Sequence, residues 1–381
     1  MTALGLFIGA FLLTYITIPK IIGVVRYKKL LDEPNKRSSH ISVTPTLGGV
    51  AFYFSLMFSF FFLKDFDQSK IIYHIFPGLT ILFIFGLKDD LVVLSPLAKL
   101  GAQFTAVYFI LAHPEFQINS LNGFLGYNDI PTYIAILISA FLMIVVINAY
   151  NLVDGIDGLA AGIGIAISAV YASLFYFLEI DLFFYLSLIL IATLAAFLRY
   201  NLSPNKKIFM GDTGSLIIGF VLSIFTIKLL TVNDQIIASD LPFVIENLPL
   251  VALVILIVPL FDTARVFTIR IFNKRSPFSA DRNHLHHILI DLGLSHVQAS
   301  ILLVLFNLLF VVLFIYMAGT SKQDFLILFL GIMALAMIYL FYRLDFSMSN
   351  LRKKVFFRNK KKAIKNKITA VRKNSREKGF F

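Results

Sequence analysis

Long apolar runs, separated by short polar segments, organise most of this chain. Eleven runs have close to the roughly 17–25 residues that an α-helix needs to cross a bilayer. By residue number they are approximately 3–19, 47–63, 72–87, 97–112, 132–148, 159–178, 182–198, 215–230, 248–265, 299–317 and 325–342. Most are too long and too continuous for barrel strands, and a helix satisfies its own backbone hydrogen bonds in lipid. The pattern predicts an all-α, polytopic membrane protein with about eleven transmembrane helices.

The composition agrees with a membrane protein and excludes some kinds of chemistry. Hydrophobic residues make up 58% of the 381 residues and charged residues only 15%, whereas a soluble protein is about 25% charged. The chain has no cysteine. Disulfides, thiolate nucleophiles and cysteine-bound metals are therefore excluded.

Positive charge is concentrated on one side of the predicted helices. Most of the 34 Lys and Arg residues lie in five segments, namely 20–45, 88–99, 199–212, 265–296 and 343–381. Only four lie elsewhere, namely Lys64, Lys70, Lys228 and Lys322. Because cytoplasmic loops are enriched in basic residues, we expect the five segments to be cytoplasmic, with the N-terminus outside and the C-terminus inside the cell membrane. The net charge of +12 is then an orientation signal and does not indicate a nucleic-acid partner.

The chain is predicted to divide into two parts. Residues 1–342 form one membrane-embedded domain, and residues 343–381 form a basic cytoplasmic tail. Anionic lipid headgroups of the bilayer are the natural partner of such a tail.

Two amides and two carboxylates follow each other at the end of the fifth apolar run. Asn148, Asn151, Asp154 and Asp157 are spaced by three residues, and positions three apart on a helix drift by about 60° per step. A continuous helix would place the first and last on opposite faces, so Asn151 and Asp154 are the pair most easily aimed at one ligand. Polar groups at such a place indicate a functional site.

Two more acidic segments lie at the ends of apolar runs. Asp89 and Asp90 are adjacent, and like charges raise the pKa of one of them unless a cation or a proton-transfer role relieves the repulsion. The sequence Gly211-Asp-Thr-Gly-Ser215 leads directly into a membrane helix. Asp212 there is either a helix cap or a metal ligand beside backbone amides that face anionic oxygens.

Basic side chains in two cytoplasmic segments are suited to bind phosphate. One set is Lys36, Arg37 and His40, and the other is Arg282, His284, His286 and His287. The histidines lack the HExxH pattern and any cysteine, so zinc is disfavoured. A third basic group is Arg265, three residues after Asp262; this pair is open to two interpretations, a helical salt bridge or a substrate role.

Carboxylate and amide oxygens without thiols suit Mg²⁺, which binds through one or two protein ligands together with substrate phosphates; Mn²⁺ is the alternative ion. Added to the basic segments, this predicts transfer of a phosphoryl group at the cytoplasmic membrane surface. The partner is predicted to be lipid-borne. The residues alone identify neither a sugar nor a nucleotide.

With all five polar segments assembled, the chain resembles the polyprenyl-phosphate N-acetylhexosamine-1-phosphate transferases of glycosyltransferase family 4. The resemblance covers about residues 1–342 and rests on segments 32–49, 89–90, 148–158, 211–215 and 281–287, in this order. It implies a reaction of a UDP-N-acetylhexosamine with polyprenyl phosphate, such as undecaprenyl phosphate. The products are a lipid diphosphate-sugar and UMP, and the cofactor is Mg²⁺. This is the first membrane step of cell-envelope polysaccharide synthesis.

The resemblance also implies a role for each matching residue. Asp212 and Asn151 would be Mg²⁺ ligands, with Asn148 in support. Asp89 would lie beside the lipid phosphate as its base, with Asp90 adjoining. Asp154 and Asp157 would line the nucleotide side. The diphosphate would be contacted by Arg282, His284, His286 and His287.

Two positions depart from the muramoyl-pentapeptide branch of the family. That branch has Lys three residues after its second Asp and three consecutive histidines, whereas this chain has Val93 and an interrupting Leu285. We therefore expect GlcNAc-1-phosphate transfer, with the phospho-N-acetylmuramoyl-pentapeptide transferase as the alternative. Outside the enzyme class, the alternatives are a transporter of anionic metabolites and a lipid-binding scaffold. The sequence leaves homodimerisation open.

Overall fold

A computed structural model describes residues 3–28, 31–32, 44–67, 69–232, 247–276, 283–318, 324–335, 337 and 339. Its α-helices are α1 (Ala3–Tyr27), α2 (Gly49–Leu63), α3 (Ile72–Leu91), α4 (Pro96–Leu111), α5 (Thr132–Val153), α6 (Leu159–Phe177), α7 (Asp181–Asn201), α8 (Gly211–Leu230), α9 (Leu248–Ile255), α10 (Ile257–Phe272), α11 (Leu285–Asp291), α12 (His296–Ala318) and α13 (Asp324–Leu335). Strands β1 (Leu31–Asp32) and β2 (Thr44–Pro45) form one short antiparallel pair.

Every predicted apolar run corresponds to helix in the described part of the chain. Eight helices are long and apolar enough to cross a membrane, and the bent pair α9–α10 makes a ninth if it is one span. Helices α4 and α13 are apolar but shorter. The all-α, multi-pass membrane architecture is confirmed, while the count of eleven stays a prediction.

Helix α8 forms the centre of the bundle. Nearly all of its residues are buried, and it packs against α5, α3 and α2. The peripheral helices α1 and α12 expose large apolar side chains along one face, as expected for contact with lipid. The first turn of α8, which carries Asp212, is thereby held at one end of the bundle; we call this end the site end.

The ninth apolar run is bent by 79° between α9 and α10. Pro259 has no N–H to donate to the carbonyl of Ile255, four residues earlier, so the helix cannot continue through this point. Asn307 of α12 supplies the missing groups: its Nδ2 donates to the Ile255 carbonyl at 3.2 Å and its Oδ1 accepts the Val258 N–H at 3.3 Å. The bend is therefore built into the chain by a proline and stabilised by one buried amide.

We predict that Asn307→Leu destabilises the protein. Leucine has a similar volume but leaves the Ile255 carbonyl and the Val258 N–H without partners, at a cost of about 1–3 kcal/mol. The measurement is the thermal unfolding midpoint of the purified protein in detergent. Asn128→Leu, at an exposed position, is the control and should change the midpoint little. An unchanged or higher midpoint for Asn307→Leu would contradict this account of the bend.

Candidate active site

The N-terminus of α8 is capped by a carboxylate from another helix. Asp90, at the end of α3, accepts hydrogen bonds from the N–H groups of Asp212 and Thr213 at 2.7 and 3.1 Å. It also accepts from the hydroxyl of Thr213 at 2.5 Å. A negative charge at this place satisfies free N–H groups and interacts favourably with the helix dipole. Asp90 thus joins the end of α3 to the start of α8.

Glycines allow the start of α2 to lie directly against the start of α8. A Cβ atom on Gly49 would overlap the backbone of Gly214, so only glycine permits this approach. The contact is extended by backbone hydrogen bonds from Gly48 to the Phe209 carbonyl and from Gly49 to the Met210 carbonyl, both at 3.0 Å. The Gly48-Gly49 pair therefore brings the start of α2 into contact with the start of α8.

Two carboxylates from different helices share one ammonium group. Nζ of Lys99, in α4, lies 2.6 Å from Oδ2 of Asp89 and 2.9 Å from Oδ2 of Asp212. Asp89 also accepts the N–H of Leu94 on its other oxygen at 2.6 Å and is 7% exposed. Sequence reasoning missed Lys99, although a lysine near the end of an apolar run was a signal that could have found it.

Asn151 lies beside Asp212, as its predicted role requires. Its Nδ2 donates to Oδ1 of Asp212 at 2.6 Å and to the hydroxyl of Ser215 at 2.7 Å. Asn148 faces away from this pair and exchanges two hydrogen bonds with Gln103 of α4, at 2.7 and 3.3 Å. The spacing of three residues therefore directs Asn151 to Asp212 and Asn148 to Gln103.

The two carboxylates of the 154–158 turn have different surroundings. Oδ2 of Asp157 accepts from Lys207 at 2.7 Å and from Nδ1 of His296 at 2.9 Å. Burial alone would raise its pKa, but these hydrogen bonds and charges outweigh burial and hold the pKa of Asp157 below its usual value. Sequence reasoning missed Lys207 and His296, since nothing in their spacing links them to Asp157.

Asp154 has the opposite electrostatic environment. Burial raises its pKa to about 7, and the negative charges of Asp212, Asp90 and Asp157 act in the same direction. Four carboxylates therefore lie close together, and Lys99 pairs with one of them, Asp212, and with a fifth carboxylate, Asp89. This part of the site carries an excess of negative charge.

The histidine segment forms a row of three rings. His284 and His286 are parallel, with centroids 5.7 Å apart, and His286 and His287 are 4.3 Å apart. A Cβ on Gly155 would overlap Nε2 of His286, so the row packs directly on the turn that carries Asp154. Burial, with the neighbouring ring of His287 next, lowers the pKa of His286 to about 3 and keeps it neutral at physiological pH.

The structure separates the two interpretations of Asp262 and Arg265. The salt bridge within α10 is long, at 3.8 Å, whereas Asp262 accepts a hydrogen bond from Nδ1 of His284 at 2.9 Å. Asp262 therefore belongs to the histidine row, a connection that sequence spacing did not indicate. Four predicted phosphate-binding residues, Lys36, Arg37, His40 and Arg282, lie outside the described residues, as does the tail 343–381.

The residues present fit a hard divalent cation. No group of three His, Asp or Glu side chains in the described parts of the chain is arranged to enclose a metal by itself. Mg²⁺, however, needs only one or two carboxylates and completes its shell with substrate phosphates and water. Asp212 supplies a carboxylate, Asn151 beside it carries an amide oxygen in addition to the Nδ2 that faces Asp212, and the ammonium of Lys99 lies between two carboxylates as a cation would.

Comparison with known proteins identifies the family of this chain. The family model described as Glycosyl transferase family 4 matches residues 72–230, which include the Asp89–Asp90, Asn148–Gly158 and Gly211–Ser215 segments. The chain is 30% identical over 306 residues to a probable undecaprenyl-phosphate N-acetylglucosaminyl 1-phosphate transferase of Bacillus subtilis, covering 78% of this chain and 80% of that protein.

Two further relatives come from other bacteria. An undecaprenyl-phosphate alpha-N-acetylglucosaminyl 1-phosphate transferase of Escherichia coli K12 is 28% identical over 305 residues, covering 78% of this chain and 79% of that protein. A decaprenyl-phosphate N-acetylglucosaminephosphotransferase of Mycobacterium leprae is 29% identical over 304 residues, covering 75% of this chain and 76% of the relative. This chain is therefore a multi-pass membrane enzyme that belongs to glycosyl transferase family 4.

Proposed function

We propose that this enzyme transfers N-acetylglucosamine-1-phosphate from UDP-GlcNAc to a polyprenyl phosphate and releases UMP. The observation that carries the proposal is the ammonium of Lys99 between Asp89 and Asp212 at the end of a membrane bundle. Such a site can bind a phosphate on a lipid that remains in the bilayer. The names of the relatives supply the acceptor and the sugar.

The proposed reaction is a single displacement at phosphorus. An oxygen of the lipid phosphate forms a bond to the sugar-side phosphorus of UDP-GlcNAc, and the bond from that phosphorus to the bridging oxygen breaks. The electron pair leaves with UMP, whose phosphate needs no further proton near neutral pH. When bound at Asp212 and Asn151, Mg²⁺ would offset the charge that accumulates on the diphosphate oxygens.

Asp89 is suited to position the lipid phosphate rather than to react with the donor. One oxygen of its carboxylate accepts from the N–H of Leu94 and the other pairs with Lys99. An aspartyl-phosphate route would require Asp89 to give up one of these partners. In the single displacement, Lys99 instead holds Asp89 beside the lipid phosphate and binds that phosphate through its own charge.

The remaining carboxylates and the histidines are proposed to bind the nucleotide and the diphosphate of the donor. Asp157, paired with Lys207 and His296, would bind the nucleotide as a fixed hydrogen-bond acceptor. Asp154 is close to the negative charges of Asp212, Asp90 and Asp157. It would face the diphosphate together with Mg²⁺. The histidine row would donate hydrogen bonds to the diphosphate oxygens.

We propose that the site end faces the cytoplasm. Arg26, Arg199, Lys206 and Arg275 lie at this end, whereas Lys64 and Lys228 lie at the opposite one. This distribution follows the enrichment of positive charge in cytoplasmic loops. UDP-sugars are made in the cytoplasm, so this orientation in the cell membrane gives the donor direct access.

The packing of the core favours an enzyme over a transporter. Ile217, Phe220, Val221, Ile224 and Phe225 follow Asp212 along α8, and all are fully buried. A pathway for an anion would need polar groups through this region. The buried carboxylates instead converge at the site end, as expected for chemistry at one membrane surface.

The two departures from the pentapeptide branch also have a structural basis. Val93 is uncharged where that branch has lysine, and its side chain is 89% exposed. Leu285 is 1% exposed and packs in the core, so the residue between the histidines serves the fold. The absence of that lysine and of three consecutive histidines supports GlcNAc as the sugar.

The first test is a direct assay of transfer. We predict that purified enzyme in lipid nanodiscs converts UDP-[³H]GlcNAc and undecaprenyl phosphate into an organic-extractable lipid and an equal amount of UMP. Activity should disappear with EDTA and return with Mg²⁺, with Mn²⁺ as the alternative ion. A donor panel with UDP-GalNAc and UDP-MurNAc-pentapeptide identifies the sugar. Product from the pentapeptide donor alone, or solute uptake without lipid product, would contradict the proposal.

Asp212→Asn should reduce the transfer rate by at least about 100-fold, because it removes a charge that offsets the cation and Lys99. The measurement is the initial rate at saturating substrates, with the unfolding midpoint as a check on folding. Asp181→Asn is the matched control, since Asp181 is exposed in the first turn of α7 and lies at the opposite end. It should leave the rate unchanged; a rate within a few-fold of the wild-type rate for Asp212→Asn would contradict the assignment.

Lys99→Met should lower kcat/KM for the polyprenyl phosphate about 10- to 100-fold, since a charge-assisted hydrogen bond is lost. Lys228→Met is the matched control, because Lys228 pairs with Glu115 at 2.5 Å at the other end of the bundle. It should lower the unfolding midpoint and leave the KM of the lipid phosphate unchanged. Equal kinetic effects of the two variants would contradict a direct role for Lys99.

A further inference from the structure

Asp262 is a carboxylate in a buried position, where a charge is energetically unfavourable. It lies in α10, the second half of the bent span, and is only 5% exposed. A buried carboxylate is costly unless it is fully hydrogen-bonded. Its Oδ2 accepts from Nδ1 of His284 at 2.9 Å, and its Oδ1 accepts the N–H of Leu285 at 3.0 Å. Both oxygens are thus directed at the histidine segment.

Arg265 strengthens the same attachment. It lies one turn after Asp262 on α10 and donates a hydrogen bond to the carbonyl of Asn283. Two side chains of one helical turn therefore hold three consecutive residues of the histidine segment, namely Asn283, His284 and Leu285. The bend at Pro259 directs this turn of α10, so the position of His284 depends on the bend.

The hydrogen bond to Asp262 determines the tautomer of His284. An ionised carboxylate can only accept, so Nδ1 of the ring must carry a proton. The other nitrogen, Nε2, is then the atom available to a ligand. The same arrangement, a carboxylate on the far nitrogen of a functional imidazole, sets ring orientation and proton location in metal sites and in catalytic triads.

The orientation of His284 extends to the rest of the row. Its ring is parallel to that of His286, with an interplanar angle of 8°. His286 in turn packs on Gly155, next to Asp154. Nε2 of His286 is buried and has no hydrogen-bond partner within the described parts of the chain, so packing rather than bonding holds this ring. Asp262 provides the carboxylate contact of His284, the first ring of the row.

We propose that Asp262 is a positioning residue that holds the ring of His284 through Nδ1–H and so directs Nε2, which donates when it is protonated, at the substrate diphosphate. The proposal rests on the proposed function, because the diphosphate is that of the nucleotide sugar. Asp262 itself touches no substrate. It acts on turnover through His284, and it links the bent span to the chemistry.

The test begins with the tautomer, which needs no assumption about activity. The full-length protein in nanodiscs is labelled with ¹³C,¹⁵N-histidine, and the ring signals of His284 are assigned by their loss in His284→Asn. We expect Nδ1–H in the wild type and loss of that state in Asp262→Asn. The carboxamide has one acceptor oxygen for two donors; the Leu285 N–H can only donate, so the NH₂ group is left facing the His284 ring, which can change tautomer to accept from it. An Nε2–H tautomer in the wild type, or an unchanged signal in Asp262→Asn, would overturn the proposal.

Kinetics then separate positioning from a purely structural role. Asp262→Asn should lower kcat/KM for UDP-GlcNAc roughly 10- to 100-fold, the range seen when a carboxylate that orients a histidine is removed. Arg265→Gln is the comparison, because it removes the bond to Asn283 and leaves Asp262 on the ring. It should lower the unfolding midpoint yet retain the Nδ1–H signal. Equal tautomer loss in both variants would overturn the proposal in favour of general loosening of the segment.

His284→Asn keeps the test valid if Asp262→Asn does not fold. The Asn amide can replace Nδ1–H as the donor to Asp262 but has no group at the position of Nε2. We expect a near-wild-type unfolding midpoint with a large loss of kcat/KM, and unchanged kinetics would overturn the proposal. If the wild type shows Nδ1–H but transfers no GlcNAc-1-phosphate, the proposed function fails while the placement of His284 by Asp262 stands.

Discussion

The structure depends on the way in which several carboxylates are held together at one end of a membrane bundle. Like charges in a region of low dielectric repel strongly unless each has a partner. Asp90 is satisfied by the first N–H groups of α8, and Lys99 is shared by Asp89 and Asp212. These two interactions tie α3, α4 and α8 together at the point where the chemistry is proposed to occur.

The same arrangement gives the carboxylates different properties. Asp157 is neutralised by Lys207 and His296, whereas the pKa of Asp154 is raised by burial and by the nearby charges. One acid is therefore a fixed acceptor, and the other lies where a cation is most favoured. Two residues that look alike in the segment Asp154-Gly-Ile-Asp157 are thus suited to different tasks.

Patterns that repeat along the chain could be predicted from the sequence. The apolar runs predicted the helices, and the family resemblance carried by the polar segments implied that Asp89, Asn151, Asp154 and Asp212 belong to one site. Single residues could not be placed in this way. Lys99, His296, Asp262 and Asn307 each act through a partner far away in the sequence, and no local spacing encodes those pairings.

The bend between α9 and α10 shows the same limit. Pro259 was visible in the sequence, but a proline predicts only that a helix is interrupted, not where the second half points. The direction depends on Asn307, which binds the free backbone groups at the break. That direction brings Asp262 to His284, and through the histidine row it supports the turn that carries Asp154.

Both oxygens of the Asp89 carboxylate are already bonded, one to the Leu94 N–H and the other to Lys99. We therefore propose that Asp89 positions the lipid phosphate without forming a bond to phosphorus. The most direct measurement incubates the enzyme with UDP-GlcNAc that carries ³²P on the sugar-side phosphate, in the absence of lipid acceptor. In a single displacement, no labelled protein and no UMP form until polyprenyl phosphate is added, when UMP and labelled lipid appear in equal amounts. Labelled Asp89, with one UMP released per enzyme before the lipid is added, would contradict it.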